Sequence, residues 1–155
     1  MVTPYFYPAW DYGGPPRSAH TLATALAGRG VSLQVFTTDT GGARRLSPAE
    51  IRQASIEANR SLDVWYCRNL SNRLAFRHRL FLPTGFSGTL DRNLGDSDLV
   101  HVHELRSFLT VAAHRAARRN KVPYVVSTHG GLVHLGKRRA KELFDSLWGK
   151  RIILD

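Results

Sequence analysis

His101 and His103, two positions apart and followed by Glu104, and a third histidine, His129, set between Thr128 and Gly130-Gly131, are the side chains in this 155-residue chain best suited to chemistry. Alternation along a strand puts His101 and His103 on one face. Imidazoles so placed can ligate zinc, with His129 as a third ligand, and would then build a small metal hydrolase. They can equally line a crevice where adjoining strands end, exchanging hydrogen bonds with a polar ligand. No spacing of cysteines or carboxylates completes a metal set, so the crevice reading is preferred and no metal is expected. His129 leaves a β-branched strand, and the glycines behind it let the backbone turn sharply while the ring projects over a ligand.

Gly13 and Gly14 form a second candidate. They sit between a short first strand and an amphipathic helix, where glycines let a backbone approach phosphate closely and the amides opening the helix present donors. Pro15 and Pro16, however, delete two of those N–H groups. No Gly-Lys-Ser/Thr follows, and the spacing misses GxGxxG, so neither nucleotide fingerprint is present.

Strands and helices alternating along the chain must position these groups. Pro16 opens a helix running to Gly30, with Ala19, Leu22, Ala23, Leu26 and Ala27 on one face. Residues 31–36 read as a strand whose exit, Thr37-Thr38-Asp39, turns polar. Residues 40–48 read as an exposed loop, 48–60 as a short helix and 64–67 as a strand. A basic segment, 68–79, follows, and Pro83 is expected to open a helix ending near Leu94. Residues 98–104 form the fourth strand, 108–120 a helix with Phe108, Val111, Ala112 and Ala116 on one face, and 124–130 the fifth strand. The cadence predicts an α/β fold, a single Rossmann-like doubly wound parallel sheet with helices on both faces. The last stretch, 137–155, is a basic amphipathic helix carrying Leu143, Phe144, Leu147 and Trp148, then an apolar tail.

Composition narrows the partners. With 43% apolar residues the chain can bury one core, and the working count is one domain over 1–155. The single cysteine, Cys67, excludes an intrachain disulfide and suits a reducing, cytoplasmic compartment. A net charge of +10 favours anions. Trp148 and Phe144 among the cations of 137–151, from Lys137 to Arg151, would suit an anionic membrane surface, which implies a peripheral position at the inner membrane face. The aromatic interleaving of a single-strand platform is missing and no helix-turn-helix is visible, so no specific nucleic acid is expected.

Taken in order, several segments resemble the amino-terminal half of family 4 glycosyltransferases, retaining enzymes with the two-domain GT-B fold. They are Thr3-Pro-Tyr-Phe-Tyr-Pro, Gly13-Gly14 with His20, Leu22-Ala-Thr-Ala-Leu-Ala-Gly-Arg-Gly, Val35-Phe-Thr-Thr-Asp, Asp98-Leu-Val-His-Val-His-Glu, Val122-Pro-Tyr-Val-Val-Ser-Thr-His-Gly-Gly and Leu143-Phe-Asp-Ser-Leu-Trp-Gly. The resemblance implies that Gly13 and Gly14 close over a donor diphosphate and that His129 contacts the transferred sugar. It implies an acceptor, a sugar or glycolipid, lined by Asp39, His103, Glu104 and Gly130. The nucleotide sugar is then a substrate rather than a cofactor, held mostly by a carboxyl-terminal domain that these residues do not include. One wall of such a cleft is expected to bind acceptor with little or no turnover. The rival expectation is a stand-alone binding module that pairs with itself or a partner chain through the face the second domain would cover.

Overall fold

A computed structural model of the protein describes residues 1–58, 62–129, 139–149 and 151–152. β1 (Leu33–Thr38) pairs in parallel with β2 (Leu62–Cys67), and β3 (Val100–His103) pairs in parallel with β4 (Tyr124–Ser127). Val2 joins the two pairs, bridging Phe36 of β1 on one side and Val102 of β3 on the other. Thr3 N–H donates to Phe36 O at 3.1 Å and His103 N–H to Val2 O at 2.8 Å. The order across the sheet is β2–β1–Val2–β3–β4. The chain steps outward from Val2 to β1 and β2, then returns to its other side for β3 and β4. A parallel sheet opens its ligand crevice at such a reversal, beyond the carboxyl ends of the strands.

Helices cover both faces, which is the doubly wound α/β arrangement the cadence predicts. α1 (Gly14–Ala27) buries Ala19, Ala23 and Ala27 against Met1, Val35 and Leu62. Three alanines one turn apart let its backbone lie close to the sheet. On the opposite face, α4 (Phe86–Asn93) and α5 (Phe108–Asn120) pack Leu90, Leu109, Ala113 and Ala117 against Phe36, Val100 and Val102. With both faces covered, the last four residues of β1 are all buried, and the alternation expected of a half-exposed strand disappears.

Local chemistry sets the helix ends. Ser47 and Glu50 form a reciprocal capping box at the start of α2 (Pro48–Glu57), with Oγ and Oε2 each taking a backbone N–H. Ser107 caps α5 by accepting from Thr110 N–H at 3.1 Å. α5 has the bounds expected from its pattern, although Phe108 itself is exposed.

Elsewhere the structure corrects the expectations. Pro83 does not open a helix: it forms an antiparallel bridge with Asn69, and Thr84 N–H donates to Arg68 O at 2.8 Å. The fixed φ of proline suits an extended ribbon as well as a helix, and here the backbone partners decide. α4 begins only at Phe86, after Gly85 at φ 69°. The basic segment 68–79 contains a helix, α3 (Asn72–His78), capped by Ser71 and closed by Arg79 in the left-handed region. The expected exposed loop 40–48 is buried at Thr40, Gly41, Gly42 and Leu46.

Near the chain's end, α6 (Arg139–Phe144) continues into a π turn, Asp145–Gly149. Phe144 and Trp148 pack toward Leu105, Val111 and Ile152, while Leu143 and Leu147 are 61% and 49% exposed. The expected stripe is thus split between core and solvent. Gly130, Lys137, Arg138 and Lys150, like Arg60 at the end of the expected second helix, lie outside the described residues. Among the described residues no helix is long and apolar enough to cross a membrane.

Candidate functional site

The crevice at the chain reversal is bounded by the loop after Val2 and by Glu104 at the end of β3. Thr3 Oγ1 donates to Tyr5 O at 2.9 Å and Thr38 Oγ1 to Pro4 O at 2.7 Å, which fixes the path of the first loop. Tyr5 is 2% exposed and donates its hydroxyl to Glu104 Oε1 across the reversal. Burial first, and the Glu104 carboxylate second, push the Tyr5 phenol above its ordinary range, so it remains a donor. Tyr5 stacks on Tyr12 with ring centroids 4.6 Å apart, and the Arg79 guanidinium lies over both rings, 4.9 Å from Tyr12 and 5.9 Å from Tyr5.

Glu104 has φ 77°, a conformation that L residues rarely adopt. Its backbone and one carboxylate oxygen are held. Its N–H donates to Ser127 O at 2.9 Å, its carbonyl accepts from Thr110 Oγ1 at 2.8 Å, and its side chain accepts from Tyr5. Thr110 is the residue whose N–H Ser107 caps, so the start of α5 and the strained residue are one unit. A left-handed non-glycine residue locked by three elements at a strand exit is the kind of strain that clusters at ligand sites.

Beside it stand the three histidines, as their spacing predicts. The His101 and His103 ring centroids lie 4.3 Å apart, those of His103 and His129 5.0 Å apart. His103 Nδ1 is 2.8 Å from His129 Nε2, and His101 Nε2 is 2.8 Å from Ser127 Oγ. The rings follow one another as a column, His103 stacked on His129 and His101 tilted by 31° against His103. Among the described residues no cluster of three His, Cys, Asp or Glu side chains is arranged to hold a metal ion. Burial, then the neighbouring His101 and His129, lower the His103 pKa to about 3, so it stays neutral at physiological pH. His129 is exposed, with φ 45°. With Nε2 turned to His103, Nδ1 is the ring nitrogen it presents outward.

The remaining candidates fall in different places. His103 is 2% exposed and acts beneath the surface, orienting His129. Asp39 is also buried, and both its carboxylate oxygens are engaged: one with the Arg45 guanidinium, the other accepting from Asn69 N–H at 2.8 Å. Its carboxylate ties the exits of β1 and β2 together. Gly13, at φ 85°, and Gly14 are exposed at the start of α1, with open space where a side chain would project. The sequence marks the stretch from Tyr5 to Pro16 as a binding loop but gives Tyr5 and Tyr12 no individual role, and it does not single out Arg79. The aromatic density of residues 5–12 was the available signal for the tyrosines; Arg79 had none among so many basic neighbours.

A model of the glycosyl transferase 4-like domain matches residues 13–155. The chain belongs to that family. The match takes in the four strands named above and every histidine of the column, and it begins at Gly13, so Tyr5 and Tyr12 precede the matched region. No curated protein and no solved structure matches the chain.

Proposed function

We propose that this glycosyl transferase 4-like domain forms the acceptor side of a sugar-transfer site. The observation that carries this reading is the crevice at the chain reversal, where Tyr5, Glu104 and His129 converge at adjoining strand exits. Glu104 Oε1 takes the Tyr5 hydroxyl, and Oε2 is the oxygen that accepts a hydrogen bond from a hydroxyl of the acceptor sugar. Orienting a nucleophile in this way is what transfer to a hydroxyl demands of its acceptor site. His129 Nδ1 contacts the transferred sugar. Gly13 and Gly14, unobstructed at the amino end of α1, approach the donor diphosphate through their backbone.

Pro15 and Pro16 leave this loop too few donors to clamp a diphosphate unaided. The nucleotide is held by groups outside these 155 residues, as in the retaining two-domain GT-B arrangement. The acceptor is a sugar or glycolipid of polysaccharide, lipopolysaccharide or glycolipid synthesis. Alone, the chain binds acceptor and turns over little or none.

The experiment is a glycan and glycolipid binding screen on the purified chain, paired with a transfer assay using labelled nucleotide sugars. Binding that falls in Glu104→Gln and His129→Ala, with no labelled product, supports the reading. Binding that ignores both substitutions sinks the assigned site, and product formed by the chain alone sinks the division of labour.

A further inference from the structure

Arg79 is the cation of the crevice to which binding of a sugar hydroxyl at Glu104 gives no role. It closes α3 in the left-handed region, at φ 56°, with its N–H donating to Ala75 O at 3.0 Å. Glycine is the usual residue at such a helix end. From there the side chain returns over the Tyr5–Tyr12 stack, and that stack is itself walled in. Phe81 meets Tyr5 edge-on at 5.5 Å, Phe76 meets Tyr12 edge-on at 5.6 Å, and the Tyr12 hydroxyl lies 2.7 Å from Thr40 Oγ1. The guanidinium thus has a fixed seat on the two rings although the residue is exposed.

A seat on aromatic rings leaves its hydrogen bonds open. Cation–π attraction holds the charge but supplies no oxygen acceptor. Among the described residues no oxygen accepts from the Arg79 guanidinium and no carboxylate pairs with it. Residues 130–138, which follow His129 in the chain, contain no Asp or Glu. Arg44, Arg45 and Arg106, by contrast, each hold a carboxylate of the protein. One tyrosine ring separates the Arg79 cation from Glu104, because Tyr5 carries the guanidinium over its ring and the carboxylate on its hydroxyl.

We propose that Arg79 selects an acidic acceptor, a sugar whose carboxylate or phosphate group pairs with the guanidinium while one of its hydroxyls donates to Glu104. The inference rests on the acceptor reading of the crevice and names the class of acceptor. A planar guanidinium meets carboxylate or phosphate oxygens two at a time, and such charge-assisted pairs are the strong hydrogen bonds. Glu104 alone would repel an anion. Arg79 offsets that charge, and beside the buried tyrosines its attraction is screened less than on an open surface. Charge is then read at one end of the Tyr5 ring and a hydroxyl at the other.

The test titrates the full chain with glucose, glucuronic acid and glucose 6-phosphate and follows amide NMR shifts, which also show that each variant is folded. At least one acidic sugar is expected to bind about tenfold or more tightly than glucose. Arg79→Gln should bring that ratio below about twofold with glucose binding itself little changed. Arg79→Lys keeps the charge but not the fork, so its ratio should fall between the two, and it serves where the glutamine variant does not fold. Arg29→Gln removes the same charge from an exposed position beyond the end of α1 and should alter the ratio by less than about twofold. Preference for glucuronic acid assigns a carboxylate, preference for glucose 6-phosphate a phosphate, and preference for both an anion of either kind. Equal affinity for glucose and the acids, no binding of either acid, or a preference that survives Arg79→Gln overturns the role of Arg79. The acid-to-neutral ratio tests this inference, whereas loss of glucose binding in Glu104→Gln tests the acceptor site, so the two failures are told apart.

Discussion

Tyr5 and Glu104, 99 positions apart, meet in a hydrogen bond across the point where the sheet reverses its direction of growth. The contact joins the loop leaving the central bridge to the end of β3. It holds the carboxylate of a residue whose backbone, at φ 77°, is already in an unfavourable region. Stability and site geometry are thus coupled at one pair.

Tyr5→Phe keeps the ring stack with Tyr12 and removes only the hydroxyl. A buried hydrogen bond to a charged acceptor is lost, so unfolding in urea should show a decrease of roughly 1.5–3 kcal/mol. Glu104→Gly loses the same hydrogen bond but relieves the backbone, and should be more stable than Glu104→Ala by about 1–2 kcal/mol. Equal stability of the glycine and alanine variants would count against backbone strain at position 104.

Much of this geometry could be read from residue patterns, and what could not has physical causes. The shared face of His101 and His103 follows from strand alternation, and the polar exits of β1 and β4 marked the carboxyl edge of the sheet. α5 declared itself through its apolar spacing. What escaped depended on partners distant in sequence. Asp39 looked like a crevice residue until Arg45 and the Asn69 amide took its carboxylate. Pro83 looked like a helix start because its pairing with Asn69 leaves no local trace. α3 was hidden because Arg73, Arg77 and His78 obscure its short apolar spacing, and the π turn after Phe144 breaks the 3.6-residue period itself.

The glycines separate folding from binding. An Ala Cβ at Gly42, where φ is 92°, would collide with the Asp11 side chain, whereas at Gly14 it would meet open space. Gly42→Ala combines strain and overlap and is expected to cost more than about 2 kcal/mol in denaturant unfolding. Gly14→Ala should leave the unfolding midpoint unchanged. If Gly14 approaches a diphosphate, Gly14→Ala will still reduce nucleotide-sugar binding once the groups that hold the nucleotide are supplied; unchanged affinity in that assay would remove Gly14 from the site.

Acid should loosen the protein through His103. Its pKa is lowered to about 3 in the folded state by burial and by the neighbouring imidazoles of His101 and His129, with a smaller contribution from the amino terminus. In the unfolded chain it titrates near the ordinary value of roughly 6.5. Between those two values the unfolded state binds more protons, so stability rises with pH. The contribution is fully present above about pH 6.5 and is lost as pH falls toward 3, by up to about 1.4 kcal/mol per pH unit. In His103→Gln this part of the slope should vanish from urea midpoints measured across pH 4 to 7, a range set by roughly those two pKa values. An unchanged slope would show that His103 is not the buried proton acceptor.

His129 and His103 should respond to truncation in opposite ways. His129 is exposed, and its backbone at φ 45° gains nothing from an imidazole; its ring touches the protein chiefly through His103. His129→Ala is therefore expected to change folding stability by less than about 1 kcal/mol, while abolishing binding that depends on the crevice. His103→Ala instead opens a cavity beneath the column and leaves His129 without its anchor, and should destabilise the protein by about 2–4 kcal/mol. His103→Gln keeps a polar partner at that position and should recover part of both losses. Paired thermal melts and ligand titrations of the three variants decide the matter: if His129→Ala binds as wild type does, the column is a structural device and the acceptor site must be sought at Glu104 and Arg79 alone.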